Sequence, residues 1–361
     1  MKRQISNQFT FILSIIAFVF LLPDNSMAGE KQLFRGDQKI LQISAIAIDP
    51  ANTNTLYIGT QQGVFRCKHG GSKWVRICKG LKNTDVFSLA IDPVNTRTLY
   101  AGTRCGIFKT FDGGDNWSLM KSCLREVAVL AIAIDPADTN TLYAIGNDAA
   151  WVVGMFKNHK NEIRYESKFR DYAFKSTNGG KKWSSINIGF EKYNLELESL
   201  AVDPIEPNTL YAGTRSGIYK SVDWGANWPE HKCKLGELNI NTIVIDPRNN
   251  NTIYVGTMVG VFKSTDGGTN WTYFSKGLNK IDVLALAIEP DNTATVYAGT
   301  INGVYKSTDG GTNWYEINNG LNKNKIQELA IDPNNKNILY AGAVDGIYKS
   351  TDGGNKWIIS K

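Results

Sequence analysis

The sequence predicts an all-β fold, a seven-bladed β-propeller with four antiparallel strands per blade, on three observations. An Ile-Asp-Pro-type anchor recurs at Asp49-Pro50, Asp92-Pro93, Asp135-Pro136, Asp203-Pro204, Asp246-Pro247, Glu289-Pro290 and Asp332-Pro333, each step being 43 residues except one of 68. A Ser-Thr-Asp-Gly-Gly-x-x-Trp motif lies a fixed distance beyond the anchor, intact at 264–271, 307–314 and 350–357. No unit carries a long apolar stretch at helical period, which excludes leucine-rich and helical repeats. A period near forty with turn residues at fixed offsets marks a repeat whose units cannot bury their apolar surface alone.

Each element of the unit follows in order from its last copy. An alternating run from Ile326 ends in Leu329-Ala330-Ile331-Asp332-Pro333 and gives the inner strand. The polar turn Asn334 to Asn337 leads into Ile338 to Gly342, then Gly346 to Ser350, a Gly-Gly hairpin turn, and a short outer strand opening with Trp357. On the inner strand, Ile46, Leu89, Ile132, Leu200, Ile243, Leu286 and Leu329 precede Ala47, Ala90, Ala133, Ala201, Val244, Ala287 and Ala330. Large beside small sets the bulky face of one blade against the small face of its neighbour. Residues 357–361 are expected to supply the outer strand of the last blade, with Lys31 to Gly36 packing alongside it or fraying.

The long step places a 23-residue insertion in the second-to-third-strand loop of blade three, between Tyr143 and Phe174, and two further residues after Trp183. Trp151 to Phe156, the polar turn 158–161, and Ile163, Tyr165 and Phe169 alternating with Arg164, Glu166, Lys168 and Arg170 read as a hairpin over about 147–172. Its aromatic and arginine residues, Trp151, Arg164, Tyr165, Phe169 and Arg170, suit a partner surface.

Residues 1–28 read as a signal peptide: Lys2 and Arg3, the apolar run Phe11 to Leu22, then Ser26-Met27-Ala28 as a cleavage site. The expected mature chain is one propeller over 29–361, extracytoplasmic (periplasmic or secreted), without a membrane span, and monomeric. The net charge of +6 falls to +5 once Lys2, Arg3 and Asp24 are removed. One basic residue per blade follows the third-strand aromatic: Arg66, Lys109, Lys175, Lys220, Lys263, Lys306 and Lys349. This reads as a solvated strand position repeated by duplication, so no nucleic acid is expected as partner. Of five cysteines, Cys67 with Cys78 and Cys105 with Cys123 are disulfide candidates, leaving Cys233 free.

In the third-to-fourth-strand hairpin, an Asp can accept N–H bonds of its own turn, Gly-Gly supplies positive φ, and the Trp fills the core. Asp112, Asn178, Asp223, Asp266, Asp309 and Asp352 are therefore structural. Blade one departs with His69 for the Asp, where the cysteine at the first position is expected to compensate by cross-linking, and blade four with Trp224 for the first Gly. These segments resemble the Asp-box, or bacterial neuraminidase repeat, of sialidases, sortilin-type receptors, xyloglucan-active endoglucanases and photosystem II assembly-factor-like propellers. The resemblance covers 43–361 and implies the propeller fold, with function lying away from the Asp-boxes. It does not extend to catalytic signatures: there is no Phe-Arg-Ile-Pro-like segment, Arg104 and Arg215 lack a third arginine, and a single propeller, without a second to form a cleft, is expected.

The Asp-box turns share one face with the first-to-second-strand turns, so the opposite face collects the variable loops. Seven and five residues before the anchors, its channel mouth holds Gln42, Ser44, Asp85, Phe87, Ala128, Leu130, Glu196, Glu198, Asn239, Asn241, Asp282, Leu284, Lys325 and Gln327. Differences among otherwise uniform copies show that packing does not fix these positions. The expected function is a non-catalytic binding or assembly scaffold for an unknown protein or glycan, with Arg104 and Arg215 among the contacts. The alternative is a glycoside hydrolase drawing on Asp85, Glu196, Glu198, Asp282 or Glu328. His69, His159 and His231 do not form a metal-ligand pattern, and no cofactor is implied.

Overall fold

The computed structural model describes residues 42–82, 85–120, 127–148, 153–157, 163–167, 171–186, 196–229, 235–278, 280–322 and 324–360. Seven sheets follow one another in chain order, the first built from Ile43–Ile48, Leu56–Thr60, Gly63–Cys67 and Trp74–Arg76, paired consecutively and antiparallel. Blade four shows three strands among the described residues. No helix long and apolar enough to cross a membrane occurs among them either.

Blade-to-blade packing is apolar. Ala285 and Ala287 on blade six meet Ile326, Leu329 and Ile331 on blade seven in one buried cluster, which is the small-against-large contact the alternation predicts. Each anchor Asp folds its turn: Asp49 Oδ1 accepts from Ala51 N at 2.9 Å, and its own N–H reaches Thr55 O at 2.9 Å.

The Asp-box turns fold as the residue types dictate. Asp309 Oδ1 accepts from Asn313 N (2.9 Å) and from Ser307 Oγ (2.8 Å), while Ser307 Oγ accepts from Gly311 N (2.8 Å). Asp112, Asn178, Asp223, Asp266 and Asp352 repeat the arrangement. These bonds favour the carboxylate, and the Asp112 pKa drops to about 2, with the Asn116 side-chain bond first among the causes. In four blades the buried Trp indole ties the blade backward: Trp117, Trp314 and Trp357 donate to Ile77 O, Phe274 O and Ile317 O, each at 2.8 Å, and Trp228 to Ile186 O at 3.0 Å.

The ring closes without strand exchange. Ile358–Ile359 pairs with Gly346–Ser350 as the outer strand of blade seven, as the intact Trp357 predicts. Trp74 Nε1 of blade one donates to Ser360 Oγ (3.3 Å), which in turn bonds Gly71 O. Ile43, Ile46, Ile58 and Phe65 pack with Ala330, Tyr340 and Ile347 across the seam. Lys31 to Gly36 and residues 1–28 lie outside the described residues.

The insertion forms a separate two-stranded hairpin, Val153–Lys157 against Ile163–Ser167, with Met155 opposite Tyr165 and Phe156 opposite Arg164. Trp151, Phe169 and Arg170 lie outside the described residues.

Candidate functional site

The inner strands bring seven non-identical residues to the propeller axis by one device. In each blade a β-bulge interrupts pairing with the second strand, leaving Ser44, Phe87, Leu130, Glu198, Asn241, Leu284 and Gln327 as the extra residue. A bulge re-aims its side chain without lengthening the sheet. All seven are buried, from 1% exposed at Asn241 to 9% at Gln327. Phe87 and Leu130 join Ala128 in an apolar plug on the side of blades two and three. Ser44 bonds Val86 O of the next blade, and Asn241 Nδ2 bonds Val283 O at 2.9 Å.

The mouth above this ring is built from paired positions. The tip of the second-to-third-strand turn lies beside the residue seven before the anchor, as Arg104 N to Asp85 O (3.2 Å), Arg215 N to Glu196 O (3.0 Å) and Ile301 N to Asp282 O (3.2 Å) show. Side chains follow suit in blades one, two and four: Gln61 donates to Gln42 Oε1 at 2.9 Å and Arg104 Nε to Asp85 Oδ2 at 2.8 Å. Arg215 holds both Glu196 and Glu198, the latter at 2.9 Å. The tips of blades five, six and seven are instead Met258, Ile301 and Val344, all exposed.

These pairs divide the acidic residues singled out from sequence. Asp85, Glu196 and Glu198 are ion-paired within their own blades, which also accounts for Arg104 and Arg215. Asp282 accepts from Asn241 Nδ2 at 2.7 Å, and burial raises its pKa against the opposing pull of that bond and of Lys325. Glu328 is not at the mouth. It pairs with Gly342 in the seam between blades seven and one, where the Gly342 α-carbon faces Ile43, and burial pushes its pKa well up. Its sequence position, four before the anchor, alternates onto the blade face rather than the channel.

On the opposite face the repeated basic residue is not solvated as its pattern suggested. Lys109 Nζ donates to Gly179 O of the next blade at 2.8 Å, Lys220 to Gly267 O at 2.9 Å, Lys263 to Gly310 O at 3.0 Å, and Lys306 to Gly353 O at 3.1 Å. Arg66 does the same to Gly113 O and also pairs with Asp115 at 2.9 Å, while Lys349 closes the ring on Gly70 O at 2.7 Å. A cross-strand tyrosine lies under each of these ammonium groups, 4.7 Å away for Tyr100 and Lys109, and the hydroxyls of Tyr100, Tyr211, Tyr254 and Tyr297 reach the same carbonyl as their lysine. Desolvation lowers the pKa of Lys109, Lys175, Lys263 and Lys306. Strand alternation shows which face a residue takes; the reach to a neighbour's turn depends on the twist between blades and has no signal within one unit.

The cysteines also differ from expectation. Cys67, Cys78 and Cys105 are free thiols. Phe65 pairs with Arg76 and Cys67 with Trp74, so Cys78 falls at the far end of the hairpin, beside Gly63. Four residues of strand separate the two, about 13 Å at the usual rise, beyond disulfide reach. Cys67 instead takes the Ser role of the Asp-box, its Sγ accepting from Gly71 N at 3.2 Å and His69 N at 3.3 Å. Cys123 and Cys233 lie outside the described residues. Among the described residues no three His, Cys, Asp or Glu gather as metal donors.

The fold is thus a seven-bladed propeller with turns of the Asp-box geometry. Residues 175–320 match the model of the photosynthesis system II assembly factor YCF48 family. No curated protein sequence matches the chain. Among solved structures, it resembles an ancestral GH74 enzyme (18% identity, TM-score 0.69, over 90% of this chain and 47% of that one). It also resembles the GH74 xyloglucanase of Xanthomonas campestris (14%, 0.69, 90% and 55%) and YCF48 bound to D1 peptide (15%, 0.63, 90% and 95%). The chain spans about half the length of the two GH74 proteins. At these identities the likeness is one of fold.

Proposed function

We propose that the protein is a non-catalytic scaffold, exported from the cytoplasm through residues 1–28, that recognises a partner through the mouth face. One observation carries this reading: the Asp-box face consumes its repeated charges in blade-to-blade bonds, whereas equivalent positions at the mouth differ from blade to blade. Selection for packing alone would leave both faces equally uniform. The YCF48 family match and the D1 peptide held by a YCF48 propeller support a protein as partner. A glycan is the other ligand class that this face can serve. The blade-three hairpin, with Trp151, Arg164, Tyr165, Phe169 and Arg170, belongs to the same contact surface in this reading.

Capture from the native extracytoplasmic fraction tests the reading. The mature protein retains a specific partner, and deletion of 150–170 weakens retention with the unfolding midpoint preserved. Retention of nothing above a control propeller refutes it.

A second reading is favoured by the GH74 likeness. In that reading Asp282, whose pKa burial raises, is the acid candidate, and Glu196 and Glu198, both paired with Arg215, are the other carboxylates. Release of reducing sugar from xyloglucan or sialosides, lost in Asp282→Asn, would replace the scaffold by a hydrolase.

A further inference from the structure

The paired positions at the mouth act as an internal control. In blades one, two and four the turn tip satisfies the polar group beside it: Gln61 with Gln42, Arg104 with Asp85, Arg215 with Glu196 and Glu198. In three consecutive blades the same tip is aliphatic and turned to solvent, Met258 53% exposed, Ile301 42% and Val344 43%. Those tip side chains offer no polar group to the side chains at the matching positions, Asn239, Asp282 and Lys325. A blade that needs only to fold has no use for this combination, since it exposes apolar surface beside polar groups that a Gln or Arg would satisfy.

Behind the aliphatic tips lies a floor of acceptors. Asn241 is 1% exposed, its amide nitrogen bound to Asp282 Oδ1 and Val283 O, and its Oδ1 has no hydrogen-bond partner among the described residues. Asn239 Oδ1 and Gln327 Oε1 are also buried acceptors without a partner among the described residues. With the Asp282 carboxylate beside Asn241, this sector of the mouth is rich in acceptors; Lys325 is near enough to pull on the Asp282 pKa. A buried acceptor left unmatched costs enough that a donor-rich group gains by entering.

We propose that the mouth sector of blades five to seven binds a peptide segment presenting an arginine between aliphatic residues. The guanidinium has five donors and no acceptor, which fits Asn239, Asn241, Asp282 and Gln327. Its aliphatic neighbours cover Met258, Ile301 and Val344. A sugar would match some of the acceptors but prefers an aromatic platform. The exposed aromatics among the described residues, Phe111, Trp224, Tyr273 and Tyr315, belong to Asp-box turns and outer strands. The inference rests on the mouth face being the ligand face.

The test uses the full mature protein and capped heptapeptides with a fixed central arginine flanked by mixed Leu, Ile, Val, Ser and Gly. Binding by fluorescence polarisation is compared with the same peptides carrying citrulline. Selected arginine peptides bind tenfold to a hundredfold more tightly than their citrulline forms, roughly the effect of one charge-assisted bond. Asp282→Asn and Met258→Ser each weaken binding about tenfold, whereas Gln61→Ser on blade one leaves it unchanged. Absence of enrichment, equal binding of citrulline peptides, or an equal loss in Gln61→Ser overturns the site. A native partner that Asp282→Asn binds with wild-type affinity but that is lost on deletion of 150–170 also overturns it, while leaving the broader scaffold reading in place.

Discussion

Replacing Lys109 by Met removes one blade-to-blade clamp and keeps the aliphatic stem. Lys109 is 6% exposed, its Nζ lies 2.8 Å from Gly179 O, and Tyr100 and Phe111 flank the charge at 4.7 and 4.5 Å. A hydrogen bond from a charged donor contributes about 1.5–3 kcal/mol and a partly desolvated cation–π contact about 1 kcal/mol. The desolvation that lowers the lysine pKa opposes both, and Tyr100 OH, 3.3 Å from Gly179 O, keeps that carbonyl partly satisfied. The expected net loss is about 2 kcal/mol, or roughly 3–6 °C in midpoint for a ring of this size. Denaturant unfolding of Lys109→Met beside Lys73→Met, at an exposed position, reads the difference. Because the folded pKa is depressed, the unfolded chain holds more protons between that pKa and 10.5, so this residue makes wild-type stability rise with pH through that window. Lys109→Met loses that slope. A change under about 0.5 kcal/mol, the usual range for a surface substitution, would mean that the ammonium is solvated after all and the clamp reasoning fails.

Three further outcomes follow from particular contacts. Trp224 sits at φ 56°, where six other blades place Gly, so Trp224→Gly should stabilise by about 1 kcal/mol even after losing its contact with Lys175; a destabilised variant contradicts the strain. Glu328→Gln should be neutral near pH 4 and increasingly more stable than wild type as pH rises. Burial raises the folded pKa, so the wild-type carboxyl contributes fully at low pH and loses ground above the unfolded value; a pH-independent difference refutes this. Cys67→Ser should fold with wild-type stability, since Ser holds that place in most blades, whereas Cys67→Ala leaves two N–H groups unmatched and costs about 1–2 kcal/mol; equal unfolding midpoints would rule out the Asp-box role.

The repeat made the blade legible. Anchor spacing, the Gly-Gly turns and the large-small alternation depend on one unit at a time, and the structure follows them down to the outer strand Ile358–Ile359. Legibility ends where two units meet. Lys109 reads as solvated because Gly179, whose carbonyl accepts its hydrogen bond, lies 70 residues away on the next blade. The Cys67 and Cys78 pairing ignored a register that Phe65 opposite Arg76 fixes, and a residue count along the hairpin would have exposed it. At the mouth, the positions five before the anchors stood out as variable, but the bulge that turns them inward leaves no residue-type mark. The Arg104–Asp85 and Arg215–Glu196 pairs carried a usable signal: turn tip and mouth position vary together across blades of one chain.

Hydrogen exchange of the protein alone and with its captured partner tests the central claim most directly. The account predicts protection at the mouth-face turns around Met258, Ile301 and Val344 with the Asp-box turns 266–270 and 309–313 unchanged. Protection confined to those Asp-box turns would contradict it.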